Sequence, residues 1–167
     1  SLASLQLLGN ILDVYCVSGM LSLWAIALVD DRKSVSPLIR LVVQLLAAIL
    51  VVYGSGLYFF NSYVGWIWPV IGVLVTVWGV NLYNFMDGID GLAGSMAVIG
   101  FSSLAVLGWM HGDTSFMDLC CLLAAANSGF LLLNWAPARI FMGDSGSTVA
   151  GFAMVVVSVM GWKRDLY

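Results

Sequence analysis

The chain has 167 residues, 62% of them hydrophobic and 9% charged, with a mean hydropathy of +1.02. Soluble domains are roughly 45–50% apolar and about 25% charged, so a water-soluble globular fold is excluded and an integral membrane protein is expected. Nine acidic residues, all Asp, against six Lys or Arg give a net charge of −3 without any basic tract, which argues against nucleic-acid binding.

A membrane-spanning helix needs about 20 mostly apolar residues. Six stretches meet that length, at roughly 10–29, 38–60, 66–84, 92–110, 117–135 and 146–162. "SLASLQLL" at the start reads as part of a further span. The connectors are "DDRKSVSP", "NSYVG", "MDGIDG", "HGDTSF" and "APARIFMGDSG". Open strands cannot cross lipid and no alternating barrel pattern is present, so the fold class is all-α, a polytopic membrane helix bundle in one domain. The chain begins at Ser1 rather than Met and closes on "GWKRDLY" straight after an apolar run, which reads as an internal fragment of a longer multi-span protein.

Alternation of the spans brings three connectors to one membrane face: that of Asp30 and Asp31, that of "NLYNFMDGIDGLAG" (81–94), and that of "RIFMGDSG" (139–146). Arg32, Lys33, Arg40 and Arg139 lie on this face, against Lys163 and Arg164 on the other, so the positive-inside rule makes it cytoplasmic. Trp66, Trp68, Trp109 and Trp162 then fall near the opposite interface, as an aromatic belt does. Cys16, Cys120 and Cys121 lie in apolar runs without metal-binding spacing and read as buried free thiols.

The convergent face gathers Asp30, Asp31, Asn81, Asn84, Asp87, Asp90, Asn134, Arg139 and Asp144. Five carboxylates on one face repel one another unless something positive sits among them. Mg2+ suits such a set, because it takes oxygen ligands and is typically held by one or two carboxylates together with substrate phosphates. The three convergent connectors hold no His or Cys, which argues against zinc and softer metals. "GDSG" presents backbone N–H groups where a helix is expected to begin at about Ser145, a setting that suits a diphosphate. Arg32, Lys33 and Arg139 add possible phosphate partners. Arg40 reads as a snorkelling interfacial residue, and Gln44 and Asn127 read as interhelical glue. Asp13 is an intramembrane carboxylate near an interface and is not assigned to the site.

"DDR" closing a span, then "NLYNFMDGIDGLAG", then "NWAPARIFMGDSGS" closely resemble, in that order, the motifs of the polyprenyl-phosphate N-acetylhexosamine-1-phosphate transferases. The resemblance covers nearly the whole chain, and "MDGIDGLAG" with "DDR" looks more like the N-acetylglucosamine-type enzymes than the pentapeptide enzyme. It implies transfer of N-acetylhexosamine 1-phosphate from a UDP-sugar to undecaprenyl phosphate with release of UMP, dependent on Mg2+ or on Mn2+ in its place. The setting implied is the cytoplasmic face of a bacterial inner membrane, at the start of cell-envelope polysaccharide synthesis such as that of O-antigen, with a homodimer as the expected assembly. Carried over by motif, Asp144 of "FMGD" is a direct metal ligand, with Asn84 and Asp31 beside the metal and diphosphate. Asp30 and Asp31 sit at the phosphates, one as a base toward the lipid phosphate, while Asp87 and Asp90 shape the nucleotide end. Phe141 stacks on uracil, with Asn134 nearby, and Asn81 joins the substrate-binding set. Two departures stand out: the family carries spans before the first motif and a His- and Arg-rich loop after the last, neither within these residues. A UbiA-type intramembrane prenyltransferase and a cation-binding transporter are the rival readings. The adjacent Asp pair speaks against the first, and carboxylates placed at one end of the spans speak against the second.

Overall fold

The computed structural model describes the backbone of residues 2–56, 65 and 67–167, and the side chains of these from residue 14 onward. The described residues form six α-helices and no strand: α1 Leu2–Asp30, α2 Pro37–Ser55, α3 Ile67–Met86, α4 Leu92–Met110, α5 Thr114–Asn134 and α6 Gly143–Lys163. Helices α2 to α6 are each long and apolar enough to cross a membrane, and Val14–Asp30 of α1 is a shorter apolar helix. The molecule is a polytopic membrane helix bundle.

Local chemistry explains most of the boundaries and the departures from expectation. "SLASLQLL" is not part of a separate span, because α1 runs unbroken from Leu2 through Gly9, Asn10 and Asp13 to Asp30. The side chain of Asp13 lies outside the described residues. Ser36 caps α2 by accepting the N–H of Ile39, and Pro37 follows at the first helical position, where its missing N–H costs nothing. That helix ends at Ser55 rather than at 60, because Gly56 takes up a left-handed conformation with φ 78° that stops it. Residues 57–60 of the expected span, "NSYV" and Trp66 lie outside the described residues. Asp113 caps α5 through the N–H of Phe116 at 2.9 Å, starting that helix three residues before the expected 117. Helix α6 begins at Gly143 rather than 146, which places Asp144 inside its first turn.

Helix α6 is the centre of the bundle, touching α1, α2, α3 and α4, while α4 and α5 form an antiparallel hairpin beside it. One face of α6 sends Phe152 and Val156 into a cluster with Leu23, Ala47, Val51 and Val80 of α1 to α3. Another sends Ala153 and Val157 toward Phe101 of α4 and Phe116 of α5. Small residues permit this closeness: a Cβ added at Gly151 would stand 2.7 Å from Tyr83 Cβ, so α6 and α3 touch through glycine. Outside the core the surface is apolar, with Leu74, Trp78, Ile99 and Leu122 all exposed, as lipid-facing positions are. Hydroxyls on the spans satisfy themselves one turn back, as Thr76 does on Gly72 O and Ser103 on Ile99 O. Cys16 and Cys120 are buried free thiols as expected, whereas Cys121, the next residue round its helix from Cys120, is free but exposed.

Candidate active site

The three convergent connectors are tied together by side chains. Asp144, in the first turn of α6, is the hub. Its Oδ1 accepts from Asn84 Nδ2 of α3 at 3.1 Å, and its Oδ2 accepts from Arg40 Nη1 of α2 at 3.2 Å. The same Arg40 nitrogen donates to Asp30 Oδ2, at the end of α1, at 2.8 Å. Asn84 Nδ2 also reaches Ser147 Oγ at 2.9 Å, and Ser147 in turn donates to Gly143 O. Residues of four helices thus meet around one carboxylate.

The adjacent aspartates of "DDR" take separate tasks. Asp30 holds Arg40 with one oxygen and accepts the Val35 N–H at 2.7 Å with the other, folding the connector back onto α1. Asp31 instead caps α6, its two oxygens accepting the N–H groups of Asp144 and Ser145 at 3.1 and 3.2 Å. Its carboxylate lies against Gly143, whose φ of 66° suits glycine and whose absent side chain leaves room: a Cβ there would be 3.4 Å from Asp31 Oδ2. The helix N-terminus expected to seat a diphosphate is therefore occupied by the protein's own carboxylate, an arrangement favoured by the helix dipole.

Asp87 is half-buried beside this hub. Burial raises its carboxyl above the ordinary carboxylate value, the neighbouring charge of Asp144 adds to that, and the Gly143 backbone amide pulls it partly back. Asp90 and Asn134 brace the rim. Asp90 Oδ2 accepts the Ala138 N–H at 3.0 Å, fastening the "APAR" connector to the "MDGIDG" turn. Asn134, buried at the end of α5, accepts the Gly91 N–H and donates to Ile140 O, each at 3.0 Å. Asn134 was expected near a bound nucleotide; here both ends of its amide are engaged in holding the two connectors in register. Asn81 pairs with Gln44 across α2 and α3 at 2.7 Å, so Gln44 does act between helices, whereas Asn127 donates to Leu123 O within its own helix. Arg32, Arg139 and Phe141 are exposed on the same end, and neither arginine belongs to the described ion pairs.

Arg40 is the residue that sequence reasoning misplaced. Its place near a helix end, between Ile39 and Leu41, suggested snorkelling; the fold instead turns it between Asp30 and Asp144. The available signal was its position one turn into α2, on the face where five carboxylates had already been placed.

A cavity of about 200 Å³ opens beside the hub. Its lining mixes Asp30, Arg40, Asn81, Asn84 and Asp144 with the aliphatic Leu23, Ile26 and Leu41. A compartment lined by both charged and aliphatic groups fits an amphipathic ligand with a phosphate head. A hard divalent ion would meet oxygen donors here, from Asp144, Asp30 and the Asn84 amide, and no thiol or imidazole. Among the described residues no three or more His, Cys, Asp or Glu come together as a group that could hold a metal ion by itself. The donor set fits an ion that completes its shell with water and ligand phosphates, as Mg2+ commonly does.

Known proteins resemble most of this chain. Residues 14–162 match the family model described as glycosyl transferase family 4. A protein of Bacillus subtilis (strain 168) named "Probable undecaprenyl-phosphate N-acetylglucosaminyl 1-phosphate transferase" is 33% identical over 149 residues, covering 84% of this chain and 42% of the relative. The undecaprenyl-phosphate alpha-N-acetylglucosaminyl 1-phosphate transferase of Escherichia coli (strain K12) is 32% identical, over 78% of this chain and 39% of its own length. A phospho-N-acetylmuramoyl-pentapeptide-transferase of Geobacillus kaustophilus is 40% identical over a shorter stretch, 58% of this chain and 30% of its own. The chain thus spans at most about two fifths of the length of these relatives.

Proposed function

The chain belongs to glycosyl transferase family 4, and from that premise we propose that the protein transfers N-acetylhexosamine 1-phosphate from a UDP-sugar to undecaprenyl phosphate, releasing UMP. In that reaction an oxygen of the lipid phosphate bonds to the sugar-bearing phosphorus as the bond from that phosphorus to the UMP phosphate breaks. The observation that carries the reading is the meeting of Asp144, Asn84, Asp30 and Arg40 beside an amphipathic cavity at one end of a membrane bundle. A lipid-linked phosphate has its head at the membrane surface and its tail in the bilayer, and the cavity lining offers both charged and aliphatic groups. Longer reach along the "N-acetylglucosaminyl" relatives than along the pentapeptide enzyme supports an N-acetylglucosamine-type donor.

Asp144 is the residue best placed to hold Mg2+, with Asn84 setting its carboxylate and Asp87 beside it. Bound there, the ion supplies charge neutralisation for the diphosphate and for the departing UMP. The protein's own contribution is positioning. Asp31 and Gly143 fix the first turn of α6, and Asn134 and Asp90 hold the rim. Both aspartates of "DDR" are engaged by donors in the structure, Asp30 by Arg40 and the Val35 N–H, Asp31 by two backbone N–H groups. A base is not required, because a phosphate monoester with a second pKa of about 6 is already largely ionised near neutral pH. The membrane face is proposed as cytoplasmic from the four basic residues on that side.

The test is a transfer assay on the full-length protein with labelled UDP-N-acetylglucosamine and undecaprenyl phosphate, with and without Mg2+. Lipid-linked label that depends on both the acceptor and the ion is the expected result. No lipid-linked label across a panel of UDP-sugars would overturn the reading.

A further inference from the structure

Arg40 places a single guanidinium nitrogen against two carboxylates, and the two contacts are unequal. Asp30 Oδ2 is at 2.8 Å and its side chain is only 9% exposed, whereas Asp144 Oδ2 is at 3.2 Å and its side chain is 40% exposed. Asp30 is fixed further by the Val35 N–H on its other oxygen. Arg40 is thus anchored on Asp30 and leans on Asp144. We propose that Arg40 is a resident counter-cation: it occupies the open oxygen of Asp144 while no metal is bound, and gives that oxygen up, staying on Asp30, when a divalent ion binds.

The inference rests on the proposed role of Asp144 as a metal-holding residue. The physical reason is competition for one oxygen. A guanidinium and a divalent cation on the same carboxylate oxygen repel strongly at contact distance, and a partly exposed ion pair contributes only about 0.2–1 kcal/mol to resist displacement. Asn84 already occupies Asp144 Oδ1, which leaves Oδ2, the oxygen Arg40 uses, as the one to exchange. Without Arg40, Asp30, Asp87 and Asp144 would face one another with no cation among them. Once released from Asp144, Arg40 still lines the cavity, with donors free to meet a phosphate oxygen.

The experiment titrates Mn2+ alone, followed by electron paramagnetic resonance of the free ion, into the full-length protein in detergent. Arg40→Gln is expected to bind Mn2+ about fivefold more tightly than the wild type, the order of gain from removing one partly exposed pair. Arg40→Lys, which keeps charge and stem but reaches less far, is expected to fall between the two and serves also if the Gln variant fails to fold. Turnover of Arg40→Gln should fall even as the ion binds more tightly, a split that a merely structural residue would not give. Asp144→Asn is expected to weaken Mn2+ binding at least tenfold. Wild-type or weaker affinity in both Arg40 variants, with Asp144→Asn still impaired, would overturn the competition and leave the metal role of Asp144 standing. Undiminished binding in Asp144→Asn would overturn that role, and the competition with it.

Discussion

Both ends of the bundle carry an Asp–Arg ion pair at 2.8 Å, and the two pairs are built differently. At one end Asp113 caps α5 through the Phe116 N–H and pairs with Arg164, whose guanidinium lies 5.7 Å from the centre of the Phe116 ring. One acid meets one base, and the cluster closes the α4–α5 turn against the end of α6. At the other end Arg40 serves Asp30 and Asp144 together, Asp87 stands nearby, and a cavity opens beside them. Charge alone therefore does not mark a functional site in a membrane bundle. An excess of carboxylate over the cations that could satisfy it, next to a space a ligand can fill, does.

Breaking the excess should have the largest effect. Asp144→Asn is expected to lower transfer at least a hundredfold in the full-length enzyme while the protein still folds, because the amide keeps the shape and loses the charge. Asp113→Asn at the opposite end is the matched control, and its turnover should stay within about twofold of wild type. A control as inactive as Asp144→Asn would erase the contrast between the ends. Asn84→Ala comes next, with about a 10–100-fold loss measured in the same assay, since it removes the donor that orients Asp144 Oδ1.

Smaller effects sharpen the contrast from the structural end. Asp113→Ala should cost about 0.5–2 kcal/mol of stability, the usual worth of an N-cap, with kcat unchanged; thermal unfolding in detergent reads the first and the transfer assay the second. The smallest effect is on pH. Burial opposes ionisation of Asp113, but the Phe116 N–H and Arg164 outweigh it and hold the carboxyl below its ordinary 3.8. A group lowered on folding stabilises the protein fully above its unfolded pKa and loses that contribution as pH falls through its folded one. The Tm gap between wild type and Asp113→Asn should accordingly be constant near neutral pH and shrink below about pH 4. A gap that widens on acidification would contradict the assignment.

Much of the site was legible before any coordinates. Asp144 stands out because "FMGDSG" is a glycine-flanked carboxylate at a span end, and Asn84 and Asp87 because polar residues recur at three-residue spacing where an otherwise apolar span ends. Other features were not legible. Nothing in "DDR" says that its first aspartate holds an arginine and its second caps a helix more than a hundred residues away, at Asp144 and Ser145. Asn134 seemed a ligand contact because its bonds to Gly91 and Ile140 depend on how two connectors meet. The premature end of α2 was readable in principle, since Gly56 is a common helix terminator, but the apolar residues after it favoured a longer span.

The sequence by itself determined that this chain is a set of membrane helices and which connectors share a face. Both follow from one-dimensional facts: lipid demands runs of apolar residues with internally satisfied backbones, and each crossing reverses direction. Tertiary structure alone decided which charged groups on that face become partners. That depends on how each helix is rotated and how closely it approaches the next, as where Gly151 lets α6 settle against Tyr83. A contact such as Arg40 to Asp144, 104 residues apart, has no trace in local spacing, because its geometry is set by the packing of four helices at once.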